Sequence, residues 1–141
     1  MNSDLTKDRI LTKLVELERY SKELTSALPK SAAEYKKSDM FIKSTVERRL
    51  QLISDTEIDI FALIYKKIKL KIVGGDESLI NSMSEVLNTS VLEKTKRLRR
   101  LRNMLIHEYK SEKFDEEVFV TAAENLDQHA LITEIKSVLK E

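Results

Sequence analysis

The residues best suited to chemistry are concentrated in twelve positions, LRRLRNMLIHEY from Leu98 to Tyr109, where arginine, asparagine, histidine and tyrosine directly follow a run of bases. Cutting an RNA strand requires that a 2′-hydroxyl lose its proton, that the departing 5′-oxygen gain one, and that the charge growing around phosphorus be neutralised. Imidazole titrates closest to neutral pH of all side chains and serves either proton step, an effect typically worth ~10² to 10⁴ in rate. His107 is the histidine beside the bases; the other, His129, lies in an acidic C-terminal part and is assigned no role. A forked, permanently charged guanidinium matches phosphate oxygens and, once held in place, stabilises the transition state more than the ground state. Arg102 takes that part.

Helical geometry constrains the pair. Five residues turn through about 500°, which sets Arg102 and His107 roughly 140° apart around one helix axis. Either the helix distorts near its end, or the arginine arm wraps around, or the two groups converge from different subunits across a two-fold axis. Asn103, four residues before His107, shares its face and can orient the imidazole or donate to a phosphate oxygen. Tyr109, just past the helix, is placed to touch RNA.

Arg102-Asn103-Met104-Leu105-Ile106-His107-Glu108-Tyr109 resembles the R-N-x-x-x-H-x-Y signature of HEPN-domain ribonuclease toxins of the HepT branch. VERRLQLISDTEIDI, Val46 to Ile60, is similar to the second long helix of that branch, and the segment after Tyr109 fits its last helices. The likeness thus covers most of the chain from about residue 41 onward. It implies an all-α antiparallel bundle of four to six helices that dimerises through its long helices. It also implies metal-independent endonucleolytic cleavage of RNA, tRNA among the candidates, at a cleft shared by two subunits. A type VII-like toxin–antitoxin pair follows, with a minimal nucleotidyltransferase antitoxin that transfers AMP to the signature tyrosine, here Tyr109. Family patterns often have glutamate where Asp55 stands, so a positioning role for Asp55 rests on a carboxylate one methylene shorter. AMP on Tyr109 would add bulk and negative charge to a basic cleft, blocking RNA sterically and electrostatically.

The supporting elements follow from apolar periodicity. Gly 2 and Pro 1 in 141 residues are too few for the turns of a sandwich, barrel or glycine-cradled phosphate site, which leaves helix as the default in a single domain spanning 1–141. Ile10, Leu14, Leu17, Leu24 and Leu28 predict an amphipathic helix stopped by Pro29. Ser31 and Glu34 form a capping box for a short second helix. A long helix is predicted from about Asp39 to Val73, with Phe41, Val46, Leu50, Ile53, Ile60, Phe61, Ile64 and Ile68 inward and Gly74-Gly75 at its end. Arg48, Gln51, Asp55 and Asp59 form a polar row on its other side, most simply an exposed salt-bridged face. A short helix over 76–88 precedes the signature helix, whose start is assigned to a second capping box at Ser90 and Glu93. Lys110 to Phe114 read as a loop, with Asp115 as N-cap of one broken or two consecutive terminal helices.

Charge is segregated although it nearly cancels. Residues 108–141 hold nine acids and four bases, so the +1 net charge of the whole leaves +6 on residues 1–107. The excess peaks at Lys94, Lys96, Arg97, Arg99, Arg100 and Arg102. Lys96, Arg99 and Arg100 are candidate RNA contacts, against the ordinary reading of a solvated helix face. Cys 0 and His 2 disfavour a thiolate or all-imidazole metal site. No metal or cofactor is expected, and the lack of a signal-like start or long apolar run points to a cytoplasmic protein with no membrane role. The expected partners are RNA, the antitoxin and a second copy of the chain. The alternative from another class is a non-catalytic, dimeric helical binding module that accompanies a nucleotidyltransferase. A purely structural bundle would make the signature a coincidence.

Overall fold

The computed structural model describes residues 2–68, 74–107 and 111–140. These form α1 (Asn2–Ala27), α2 (Ala32–Lys37), α3 (Met40–Lys67), α4 (Asp76–Ser82), a single 3₁₀ turn (Met83–Glu85), α5 (Thr89–His107), α6 (Ser111–Glu124) and α7 (His129–Lys140). The architecture is all-α, with no strand among the described residues. The described residues form seven α-helices where four to six were expected, the difference lying in the short α2 and α4, 6 and 7 residues long, and in the break between α6 and α7.

α1 and α3 form the spine. Lys13 pairs with Asp59 at 3.4 Å and Glu23 with Arg49 at 2.9 Å, so positions rising along α1 meet positions falling along α3: the two run antiparallel. Ile10, Leu14, Leu17 and Leu24 of α1 and Val46, Leu50, Ile53, Ile60, Phe61 and Ile64 of α3 are buried between them and their neighbours. Burial of one such side chain contributes about 1.5 to 3 kcal/mol. Phe41, expected in this core, is 79% exposed. The buried row of α3 runs through residues 43, 46, 50 and 53, and Phe41 lies two residues, about 200°, away from Lys43 on that row. α3 is described as helix to Lys67 with Ile68 as C-cap; the rest of the expected helix, to Val73, lies outside the described residues.

Helix boundaries follow local chemistry. Ser31 Oγ accepts from Glu34 N at 3.1 Å, and the Glu34 carboxylate accepts from Lys30 N at 3.4 Å, so the expected box reaches one residue further back. Asp39 Oδ1 accepts from Ile42 N at 2.9 Å and starts α3. Gly74 turns with φ 66°, a left-handed conformation that glycine adopts without a Cβ penalty. The second capping box is corrected: Asn88 Oδ1 accepts from Ser90 N and Ser90 Oγ, both at 2.9 Å, while Glu93 turns to Lys96. Asp115 is likewise no cap. α6 has already begun at Ser111, and Asp115 is buried in a 3.0 Å ion pair with Lys43 of α3.

The remaining helices close around this spine. Tyr35 of α2 meets Phe119 of α6 with ring centroids 6.3 Å apart. Arg97 of α5 binds Glu124 of α6 at 2.6 Å, and the Asn88 amide donates to Glu134 of α7 at 2.6 Å. Among the described residues, no helix is long and apolar enough to cross a membrane.

Candidate active site

α5 is held by its apolar row, Val91, Leu92, Leu98, Leu101 and Leu105, all buried. That row fixes the rotation of the helix and therefore the direction of every charged residue between its members. Arg99 and Arg102 fall on the flank facing α3, where Asp55 meets both. Arg99 Nη1 donates to Asp55 Oδ1 at 2.8 Å, and Arg102 Nε lies 3.1 Å from the same oxygen. Arg99 reaches further, through Nη2 to Asp76 at the start of α4 and through Nη1 to Ser54 Oγ at 3.3 Å.

The two arginines differ in what they have left to offer. Arg99 is 14% exposed and clamped between two carboxylates, so it locks α3, α4 and α5 together. Arg102 is 24% exposed and is gripped at its Nε edge, with Nη1 only loosely engaged by Asn103 Oδ1 at 3.4 Å. Its Nη fork remains available to a pair of phosphate oxygens, and its aim is already set by the Asp55 charge. The polar row Arg48, Gln51, Asp55, Asp59 is thus divided: Asp59 serves the α1–α3 spine, whereas Asp55 organises the basic helix.

His107 is the last residue of α5 and is exposed. It makes no hydrogen bond or ion pair to a described residue. Asn103 is exposed as well, and its side chain engages Arg102 where orientation of the imidazole was one of two expectations. Because α5 is helical through His107, the 140° separation holds: neither a helix break nor a wrapped arm brings Arg102 to His107 within one chain. Glu108, Tyr109 and Lys110 lie outside the described residues, and with them the expected modification site Tyr109.

The other expected RNA contacts are occupied to different degrees. Lys96 pairs with Glu93 at 3.6 Å, and Arg100 with Glu77 at 3.1 Å, the latter with both side chains about two-thirds exposed. Exposed pairs of that kind are worth only ~0 to 1 kcal/mol, so Arg100 can change partners at little cost. Lys96, Arg99, Arg100 and Asn103 line a cavity of about 60 Å³ together with Asp76, Glu77 and Ile80. Among the described residues, no three His, Asp or Glu side chains gather to hold a metal ion.

Sequence reasoning missed three acids. Asp76 and Glu77 look like ordinary N-terminal acids of a short helix, and nothing in their spacing points to Arg99 or Arg100. Glu57 had a readable signal. It stands four residues after Ile53 and three before Ile60, inside the apolar row, and it is 1% exposed with neither carboxylate oxygen hydrogen-bonded. Burial pushes its carboxyl up to about 8, and Lys94 pulls in the opposite direction.

A substitution separates positioning from fold at Asp55, which is 42% exposed. Asp55→Asn removes the charge that aims Arg102 and is expected to lower RNA cleavage about two- to fivefold, the worth of a part-exposed ion pair of up to ~1 kcal/mol. Asp55→Glu keeps the charge and is expected to retain most activity. Equal rates for Asn and wild type at matched melting temperature would remove Asp55 from the site.

A search of curated proteins finds no match. Residues 11–138 match the family described as Ribonuclease HepT-like. That span takes in the α1–α3 spine, the Asp55–Arg99–Arg102 cluster and His107, and on its strength the chain belongs to the HepT-like ribonuclease family.

Proposed function

We propose that the chain is a metal-independent endoribonuclease toxin whose site is completed by a second copy of itself. The observation that carries this reading is the division of labour on α5. Asp55 presets Arg102 against α3, while His107 stands exposed, without a bond to a described residue, on a different side of the same continuous helix. A two-fold axis near the end of α5 supplies what one subunit lacks, an arginine fork from one copy opposite an imidazole from the other. Ile106, 43% exposed beside His107, provides apolar surface for that contact.

In such a cleft the 2′-oxygen gives up its proton to an imidazole and attacks phosphorus. The bond from phosphorus to the 5′-oxygen breaks, and that oxygen leaves with a proton. In each cleft a single His107 imidazole takes the first proton and, as imidazolium, gives a proton to the leaving oxygen. Arg102 balances the charge that builds on the non-bridging oxygens, Asn103 steadies the Nη1 edge of Arg102, and Lys96 and Arg100 guide the flanking phosphates. The substrate is RNA, with tRNA as the first candidate, and the reaction takes place in the cytoplasm. A nucleotidyltransferase antitoxin silences the enzyme by AMPylating Tyr109.

Mixing tests the composite site. Co-expressed His107→Ala and Arg102→Ala subunits form heterodimers in which one cleft regains an intact arginine and an intact histidine. Cleavage in EDTA is expected to return to about a quarter of wild type, since half the dimers are mixed and each has one good cleft. A mixture as inactive as either parent would show that both residues act within one subunit. The modification is tested separately: Tyr109→Phe is expected to remain toxic in the presence of the antitoxin, and silencing as complete as for wild type would overturn the assignment of Tyr109.

A further inference from the structure

A second cavity, of about 240 Å³, lies on the opposite flank of α5 from Asn103 and is lined by Glu57, Ser90, Val91, Lys94, Thr95, Arg97, Gln128, Ala130 and Leu131. Exposed Ser90, Arg97 and Ala130 mark its mouth, and Glu57, 1% exposed, marks its inner end. Both oxygens of Glu57 lack a hydrogen-bond partner. Gln128 is also buried; its Nε2 is spent on Asn125, and its Oε1 has no partner. Buried polar atoms are almost always paired, and with Glu57 ionised three orphaned acceptors on residues lining one cavity ask for a ligand that brings N–H donors.

We propose that this cavity binds a guanine base. Guanine presents an N1–H and an N2 amino group side by side, which can satisfy the Glu57 carboxylate and leave one amino hydrogen for the Gln128 carbonyl. Val91 and Leu131 provide apolar walls for the flat faces. The volume falls below the about 300 Å³ at which pockets begin to enclose drug-sized molecules and suits a ligand part of base size. A guanidinium from a protein side chain offers similar donors, but Lys94, whose Nζ donates to the neutral Asp127 carbonyl at 3.0 Å and keeps its charge, would repel it, and the same charge favours a ligand carrying phosphate.

The base can come from a free nucleotide or from a nucleotide splayed out of an RNA strand, whose edge proteins commonly read in this way. The strand as source rests on the ribonuclease reading; the pocket does not. The pH behaviour is specific. A carboxyl raised to about 8 is largely protonated at pH 7 in the empty cavity, yet the guanine edge needs it ionised. Lys94 and Arg97, the latter paired with Glu124, are the charged groups lining the cavity from α5; the α6–α7 side contributes Gln128, Ala130 and Leu131, none of which titrates.

Calorimetric titration of the intact protein with GMP, AMP, CMP and UMP tests the proposal without any cleavage step. GMP is expected to bind at least tenfold tighter than the other three and to gain up to about tenfold per pH unit between pH 6 and 8 as Glu57 ionises. Glu57→Gln should bring GMP down to the level of AMP and flatten that rise, and it should melt no lower than wild type at pH 8, because the change removes a buried charge. A 2′-deoxy oligonucleotide with a single deoxyguanosine, which lacks the 2′-hydroxyl needed for cleavage, is then competed against GMP. Displacement identifies a strand as the source, and GMP binding without displacement identifies a free nucleotide. Equal affinity for all four nucleotides, or GMP binding unchanged in Glu57→Gln, would overturn the guanine site.

Discussion

Replacement of His107 by alanine is expected to reduce RNA cleavage in EDTA by ~10² to 10⁴, the usual contribution of a positioned acid–base group. The fold should not register the change, because His107 ends α5, is exposed, and makes no bond to a described residue. Arg102→Ala is expected to cost a similar ~10² to 10³ through lost charge stabilisation, with a small loss of stability as Asp55 is left to Arg99 alone. Arg102→Lys should recover little, since an ammonium cannot be gripped by one edge while offering a fork to phosphate with the other. The check is a rate measured on labelled RNA beside a melting curve for each variant. Undiminished cleavage by His107→Ala would mean that another group moves the protons, and the composite cleft would lose its basis.

The largest effect on stability is expected at Asp115. Lys43 and Asp115 are 8% and 5% exposed and meet at 3.0 Å, pinning the start of α6 to α3. Removing one member of such a pair strands a charge in the interior, which typically costs ~3 to 5 kcal/mol. That is a large part of the ~5 to 15 kcal/mol that holds an ordinary domain together. Asp115→Ala should therefore shift the urea midpoint sharply downward, whereas Lys43→Met with Asp115→Leu should recover most of the loss by replacing the pair with apolar contact. A single variant that loses under ~1 kcal/mol would show that water reaches the pair. The neighbourhood gives reason to expect the full penalty. The Glu47 carboxyl is pushed up by burial and by Asp115, the Tyr35 hydroxyl is raised by burial, and Asp115 Oδ1 has no hydrogen-bond partner.

The helices were largely legible from periodicity because a repeating apolar step leaves only one face to bury. α1 ends where Pro29 requires, and α3 starts where Asp39 can cap it. What could not be read was which neighbour each polar residue would meet. Asp115 looks like a cap because acids favour helix starts, and only the approach of Lys43, 72 positions away in sequence, turns it into a buried partner. Asp55 was visible as a member of a polar row, yet its hold on Arg99 and Arg102 depends on how α5 rolls against α3. Lys43 and Glu57, by contrast, were open to recognition: each interrupts an apolar row with a charge, and each is buried. A charge on a core stripe signals a pair or a cavity more reliably than a charge on a surface stripe signals a ligand.

The basic helix presents fewer open cations than its letters suggest. Arg97 is engaged by Glu124, Arg99 by Asp55 and Asp76, Arg100 by Glu77 and Lys96 by Glu93. An incoming strand must therefore trade its phosphates against carboxylates that already occupy these positions, and each exchange frees fewer small ions from solution than capture by a bare cation. Six open charges would give a logarithmic salt slope of about −4 on single-stranded RNA. This helix would fall well short of that, which makes its grip on nucleic acid modest in dilute buffer and comparatively durable at the ionic strength of a cell.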